Sequence, residues 1–427
     1  MLAGTRPGWS SMPTVMRGRG SQGRNGLPEY QRGCLKLFLN AVSAKAGGGV
    51  TYIGPFLKHA ARLRPDWLFV ALLPARTIAE IQPVPNNVRL EATEIGFAPW
   101  WRRLWWDQIS LRRLLREERP DALYSTANFG MVSCPIPQIL LVRNALYFSA
   151  SFNERFLGRY AFSDLASFLL RRRLIVRSVR SADVVMTPTA AMLDELRHYV
   201  EVSDDRALVN PYGQDPSGNP GAPVVGSMDS PVRLLYVSYY REHKNLTTLL
   251  KALRELGSSG RREYKLITTL NPEEGEAIAA ITSAEDRALV NDPAIRPALE
   301  IRGPCSPTAA LRLYEQCDLF VFPSMVESFG FPLVEAMARG LPIIASDTPV
   351  NREVCGEAAV YFPLFDFKEL AAEIERVSGD LSLRVKLAKA SAARVRAVFS
   401  WDTHVRRILD SASELNAGRR RRYSQKD

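Results

Sequence analysis

Cysteine and histidine are scarce in this chain of 427 residues, with five of the first and four of the second. The cysteines (Cys34, Cys134, Cys305, Cys317, Cys355) are odd in number and never fall as a C-x-x-C pair, which excludes a disulfide framework or zinc cage and reads as reduced thiols. His59, His198, His243 and His404 lie far apart with no H-E-x-x-H spacing, so no metal is expected. Long apolar runs are missing too: none approaches the ~18 to 20 residues that cross a bilayer. No basic start followed by an apolar stretch marks a secretory leader, so a soluble, cytoplasmic protein is the expectation. Without a leader, "NLT" at Asn245 reads as a chance glycosylation match. Also missing is a G-x-G-x-x-G run with an acidic residue ~20 positions on, which argues against a dinucleotide-dependent oxidoreductase.

What is present is a globular composition, 46% hydrophobic and 24% charged, on a chain long enough for two domains of roughly 150 to 200 residues. Lysine and arginine outnumber aspartate and glutamate by 56 to 45, a net charge of +11. Such a surface attracts something anionic: nucleic acid, a nucleotide-activated substrate or an acidic membrane face. Nucleic acid lacks support from any recognisable RRM, KH or zinc-finger module, although the arginine content keeps a basic nucleic-acid-binding protein as the rival reading.

Residues 1–32, rich in Gly, Arg, Ser and Pro, read as a disordered basic tail. From "CLKLFLNAVSAKAGGGVTYI" onward the pattern is strand, glycine-rich turn, helix, and it repeats through "PDWLFVALLP", "DALYSTA", "PQILLVRNALYF" and "ADVVMTPTAAMLDELRHY". Strands alternating with helices predict a parallel sheet covered on both faces. "GQDPSGNPGAPVVGSMDSP" (213–231) is the strongest linker signal and places a hinge there. The alternation then restarts with "VRLLYVSYYREHKNLTTLLKAL", "REYKLITTL", "PALEIRGP", "DLFVFPS", "GLPIIAS" and "AAVYFP". The expected architecture is α/β, with two doubly wound, Rossmann-like domains (33–218 and 219–398) facing across a cleft. A C-terminal helix (399–417) packing back on the first domain and a basic tail (418–427) complete it.

The most informative stretch is "SMVESFGFPLVEAMARGLPII", residues 324–344. "DLFVFPS" before it reads as a buried strand, and the segment after has helix punctuation at both ends, Pro332 in the first turn and Gly340 just past the last. Glu327 then falls in the loop and Glu335 inside the helix. The backbone N–H groups near Gly330 and Phe331 form a helix start, unsatisfied donors suited to a phosphate. Glu335, about one turn in, can reach the hydroxyls of a ribose beside that phosphate.

At this point the sequence resembles the retaining, GT-B-fold glycosyltransferases of family 4, the glycosyl transferases group 1. The E-x7-E pair sits between the matching strand with its "PS" and the continuation "EAMARGLPIIAS". The resemblance implies a donor site in which Glu327, with Ser328 and the amides of Phe329, Gly330 and Phe331, holds the sugar while Glu335 binds the nucleotide ribose. "LLYVSYYREHKNLTTLLKAL" resembles the segment delivering a basic pair to the donor diphosphate. That makes Lys244 a ligand and, because Tyr239 stands where the family often has Arg, offers Arg241 as a substitute. In "AKAGGGVTYI" the resemblance assigns Gly48 and Gly49 to the close approach of backbone to a phosphate. Many relatives carry His-Asp where this chain has Arg143 and Asn144, so Asn144 is the acceptor-side candidate, with an ordinary capping role as its alternative. The implied activity moves a hexose from a nucleoside-diphosphate sugar to a glycan or polyprenyl-linked acceptor in cell-surface polysaccharide assembly. Glu327, Lys244 and Asn144 are its catalytic candidates, with no metal and no cofactor beyond the donor. A sugar-nucleotide epimerase or a phosphorylase of the same fold is the nearest enzymatic alternative; the latter needs a pyridoxal phosphate lysine for which no context is seen.

Two further stretches, "FAPWWRRLWWDQISLRRLLREERP" and "SFLLRRRLIVRSVR", interleave bulky apolar residues with arginine at near-helical spacing. Either could contact an anionic membrane peripherally. The first is read as tryptophans on the core with arginines solvated, the second as the membrane-facing patch.

Overall fold

The computed structural model of the chain describes residues 34–45, 48–214, 231–270, 283–303 and 307–424. The expected tail at 1–32, all but the two ends of the linker and Cys305 lie outside them. Among the described residues thirteen strands form two sheets. Seven are β1 (Lys36–Asn40), β2 (Leu68–Leu73), β3 (Val88–Ala92), β4 (Ala122–Ser125), β5 (Gln138–Leu141), β6 (Val184–Thr187) and β7 (Ala207–Val209), in the order β3-β2-β1-β4-β5-β6-β7. Six more are β8 (Val232–Tyr236), β9 (Tyr264–Thr268), β10 (Leu299–Ile301), β11 (Leu319–Phe322), β12 (Ile343–Ser346) and β13 (Ala359–Phe362), ordered β10-β9-β8-β11-β12-β13. Counted within each sheet, both begin 3-2-1-4-5-6, the doubly wound order whose direction reverses between the first and fourth strands. All five pairs of the second sheet are parallel, with Leu319 opposite Leu234 and Phe320 opposite Leu235.

Parallel strands with helices on both faces are shielded from water and largely apolar, and β5, β11 and β12 are buried at every position, with Gln138 and Ser346 the polar residues at their ends. β3 (VRLEA), which the sequence reading missed, is fully buried only at Val88. It is an edge strand, and an edge strand needs no continuous apolar run.

By contact density the chain divides into two compact units. One comprises Met1–Leu141, Arg177–Val185 and Ile408–Asp427, the other Val142–Val176 and Met186–Arg407. In the first, the helix Trp100–Glu118 turns Trp106, Leu111 and Leu115 onto Phe38, Val70, Leu72 and Leu123 of the strands. In the second, Leu249 and Leu253 of the helix Leu246–Ser259 and Ile374 of the helix Phe367–Gly379 close over Leu234, Leu266, Leu319 and Ile344. Each such side chain contributes about 1.5–3 kcal/mol on leaving water.

One detail departs from the sequence reading. The C-terminal helix runs Trp401–Ser424, into the basic run expected as a tail, because arginine loses little rotamer freedom in a helix and continues one readily. A second helix, Leu381–Val398, precedes it. Asn245 of the "NLT" triplet is 5% exposed and tied to the protein at both ends of its amide, so it is no glycan acceptor in the folded chain. Cys317 and Cys355 are buried, which pushes their thiols up to about 12 and keeps them neutral.

Candidate functional site

The second sheet's order reverses between β8 and β11, where the loops after two adjacent central strands diverge and leave room for a ligand. Here the two loops are stitched together. Asn245, at φ +57°, ends the turn Glu242–Lys244 and donates from its amide to the Pro323 carbonyl at 3.1 Å. The Met325 N–H donates to the His243 carbonyl at 2.9 Å. Held by these bonds, Lys244 and Glu327 meet as an ion pair whose side chains are only 23% and 12% exposed. A cation and an anion 83 residues apart therefore address one small volume at the end of the central strands. His243 beside them is held neutral, its pKa pushed down to about 3 chiefly by burial and then by the charges of Lys244 and Arg241.

The loop after β11 ends in the helix Phe331–Ala338, with Glu327 ahead of it and Glu335 inside it. Gly330 caps its start at φ +82°, a backbone conformation costing a residue with Cβ about 1–2 kcal/mol. Its far end closes on Gly340 (φ +67°), with the Leu341 N–H on the Ala336 carbonyl and the Gly340 N–H on that of Met337, the paired bonds of a Schellman stop. The N–H groups of Phe329, Gly330 and Phe331 have no acceptor among the described residues, so three consecutive donors remain at a positive helix start. The side chains of that run do something else. Phe331 stacks flat on Tyr212, centroids 4.9 Å apart at 2°, and Phe329 meets Tyr212 and Phe399 edge-on. Their packing fixes the backbone that carries these amides. The Ser328 carbonyl accepts from Thr189 Oγ1 at 2.9 Å.

Glu335 accepts from the Tyr314 hydroxyl at 2.9 Å through Oε2, leaving Oε1 for another donor. Burial raises its pKa, against the opposing pull of that hydrogen bond and of Arg339. Arg241 is exposed and donates to the Tyr240 carbonyl. Asn144 caps the short turn Ala145–Tyr147, its Oδ1 accepting from the Leu146 N–H at 3.2 Å. Gly48 and Gly49 open the helix Gly48–Leu63 in the other unit, Gly48 exposed and Gly49 buried. Of the sequence candidates, then, Glu327, Lys244, Ser328, Phe329, Gly330, Phe331 and Glu335 share one stretch of structure. Another helix start in the same unit is already filled: the Ala190 and Ala191 N–H groups donate to the Glu353 carboxylate at 2.7 and 2.8 Å.

Two family models match the chain. "Glycosyl transferases group 1" matches residues 231–380 and "Glycosyltransferase Family 4" matches 46–217. The chain belongs to the group 1, family 4 glycosyltransferases. Among relatives, the serotype-specific mannosyltransferase WbdA of Escherichia coli is 27% identical over 282 residues, 62% of this chain. The chain spans about a third of that relative's length, 33%. Among solved structures of GT-B form, sucrose-phosphate synthase from Thermosynechococcus elongatus superposes with a TM-score of 0.68 over 90% of this chain and 100% of its own, at 17% identity. Anabaena HepE in complex with UDP-glucose reaches 0.65 over 89% and 100%, also at 17%. These likenesses establish the GT-B fold of this family member, two Rossmann-like domains.

Sequence reasoning missed the supports of the site. Tyr314, the partner of Glu335, carried no signal because it lies in an ordinary amphipathic helix. Nor did Tyr212 or His404, whose ring meets Tyr212 edge-on and donates from Nδ1 to the Pro211 carbonyl at 2.9 Å.

Proposed function

We propose that this family member transfers a hexose, with retention, from a nucleoside-diphosphate sugar to a glycan or polyprenyl-linked acceptor in polysaccharide or lipopolysaccharide assembly. The observation that carries the reading is the Lys244–Glu327 pair set beside three unpaired backbone donors at the start of the helix Phe331–Ala338. The names of its relatives, a serotype-specific mannosyltransferase and a protein crystallised with UDP-glucose, support the substrate class.

The reaction breaks the bond from the anomeric carbon to the diphosphate and forms one to an acceptor hydroxyl on the same face. The departing phosphate oxygen takes the acceptor's proton, so no protein base is needed and the neutral His243 is no obstacle. Charge accumulates on the diphosphate while the sugar becomes oxocarbenium-like, and preorganised donors aimed at that charge are the main lever. Lys244 supplies a point charge and the three amides supply fixed dipoles, which together stand in for the positive charge a metal would bring. When the diphosphate engages Lys244 it competes with Glu327, and the released carboxylate accepts from a sugar hydroxyl; Oε1 of Glu335 accepts from the ribose. Asn144 and the Gly48–Gly49 turn belong to the acceptor and phosphate side. The setting we assign is cytoplasmic, at the inner face of the plasma membrane; among the described residues no helix is long and apolar enough to cross it.

Purified protein given a panel of nucleotide sugars hydrolyses one of them slowly without acceptor. Glu327→Ala abolishes that turnover while leaving the unfolding midpoint near wild type. Turnover of every donor at the buffer rate, or unchanged hydrolysis in the Glu327 variant, overturns the assignment.

A further inference from the structure

The helix Trp100–Glu118 belongs wholly to the first unit and buries Trp106, Asp107, Leu111 and Leu115. Its opposite face is unusual for a soluble surface. Trp101, Trp105 and Ile109, at i, i+4 and i+8, are 58%, 49% and 50% exposed, and Phe97 just ahead of the helix is 53% exposed. At 100° per residue these three helical positions fall within one narrow stripe, flanked by exposed Arg102, Arg113 and Arg116. Between Phe97 and Arg116 there are five arginines, and the one acidic residue, Asp107, is buried on the far side. Lys45 adds a further cation, its Nζ 5.0 Å from the Phe97 ring centre. Both faces of this helix are thus apolar, but only one of them has a core to meet.

We propose that this face docks the protein on an anionic lipid surface, the helix lying in the plane of the headgroups with Trp101, Trp105 and Ile109 in the interfacial layer and Arg102, Arg113 and Arg116 on the phosphates. Indole rings flanked by arginine suit that layer, where one end of a side chain must be apolar and the other wet. A second copy of the chain fits less well, because a two-fold contact would set these arginines against their own equivalents, and the one exposed carboxylate beside them, Glu117, is already paired with Arg113 at 3.0 Å. The other basic stretch also exposes apolar residues, Phe162, Leu169 and Leu170, beside Arg173, Arg177 and Arg180, but it carries no tryptophan. In the helix Phe162–Ser181, Arg172 lies over the rings of Phe168 and Tyr199 and Arg171 donates to Ser167 Oγ, so two of its cations are spent on their own unit. The tryptophan helix therefore stands as a membrane candidate beside the stretch that the sequence expectation favoured. The face exists whether or not the protein transfers sugar, and the two readings can fail separately.

The test uses the full chain with vesicles of phosphatidylcholine alone or mixed with phosphatidylglycerol, read by co-sedimentation and tryptophan emission. Wild type is expected to bind the mixed vesicles about tenfold more tightly or better, with a blue shift. The double variant Trp101→Ser/Trp105→Ser is expected to lose both signals. Arg102→Gln/Arg113→Gln/Arg116→Gln should lose the preference for anionic lipid. Both should keep the wild-type unfolding midpoint and donor hydrolysis in solution, which are read separately. Binding indifferent to lipid charge, or unaffected by the tryptophan substitutions, overturns the proposal. So does a concentration-dependent dimer abolished by the same substitutions, or a salt-sensitive shift of a single-stranded oligonucleotide without vesicle binding.

Discussion

At the scale of single residues, the contact between Lys244 and Glu327 makes the sharpest demands. A hydrogen bond to a charged group contributes roughly 1.5–3 kcal/mol, so Lys244→Ala should weaken donor binding about tenfold to a hundredfold in a calorimetric titration. Both partners serve the same ligand, and combining Lys244→Ala with Glu327→Ala should cost less binding than the two separate losses added together. Glu335 makes a demand of a different kind. Its pKa is raised by burial, and only the ionised form offers its full set of acceptors, so the donor KM should climb on the acid side earlier than an ordinary carboxylate would allow. Tyr314→Phe removes an interaction favouring the charged form and should move that limb to still higher pH; Glu335→Gln should flatten it. A KM for the donor that stays constant from pH 7.5 to 5 would remove Glu335 from the ribose.

At the scale of elements, the helix after β11 could be read from the sequence because its signals are local: Pro332, Gly340 and an apolar run before them. The ion pair could not be read, because its register is set by Asn245 bridging to Pro323, a contact between loops 78 residues apart that no periodicity encodes. The tryptophan helix failed for another reason. Its sequence offers apolar residues around most of the circumference, and only the position of the sheet decides that Trp106 goes in while Trp101 and Trp105 stay out. Gly330 tests the local part. A Cβ there would come within 2.9 Å of Leu333 Cδ1 at a φ of +82°. Gly330→Ala should therefore lower stability by about 1–2 kcal/mol in urea unfolding and raise the donor KM. Gly379→Ala, with open space around it and an ordinary φ, should change neither.

Across the whole molecule, the two sheets repeat one strand order, and that much followed from alternating short apolar runs and helical stretches alone. Acid stability, by contrast, depends on groups invisible to pattern. His404 is 1% exposed, and burial holds its pKa down to about 3, far below the free imidazole. Below about pH 6.5 the unfolded chain takes up a proton that the folded one refuses, so His404 withdraws stability at about 1.4 kcal/mol per pH unit until the pH nears its folded pKa. Urea midpoints measured from pH 7 to 5 should fall accordingly, with a shallower slope in His404→Gln. A slope unchanged by that substitution would mean that the imidazole titrates normally in the fold.

Glu353 has a bearing on selectivity. By resting its carboxylate on the first turn of the helix Ala190–Arg197, the protein keeps a tenant of its own in a berth that a stray sulfate or free phosphate could otherwise occupy. A guest anion is thereby turned away from this helix start, which lies next to Thr189 and its bond to the Ser328 carbonyl, so Glu353 narrows where a nucleotide can come to rest.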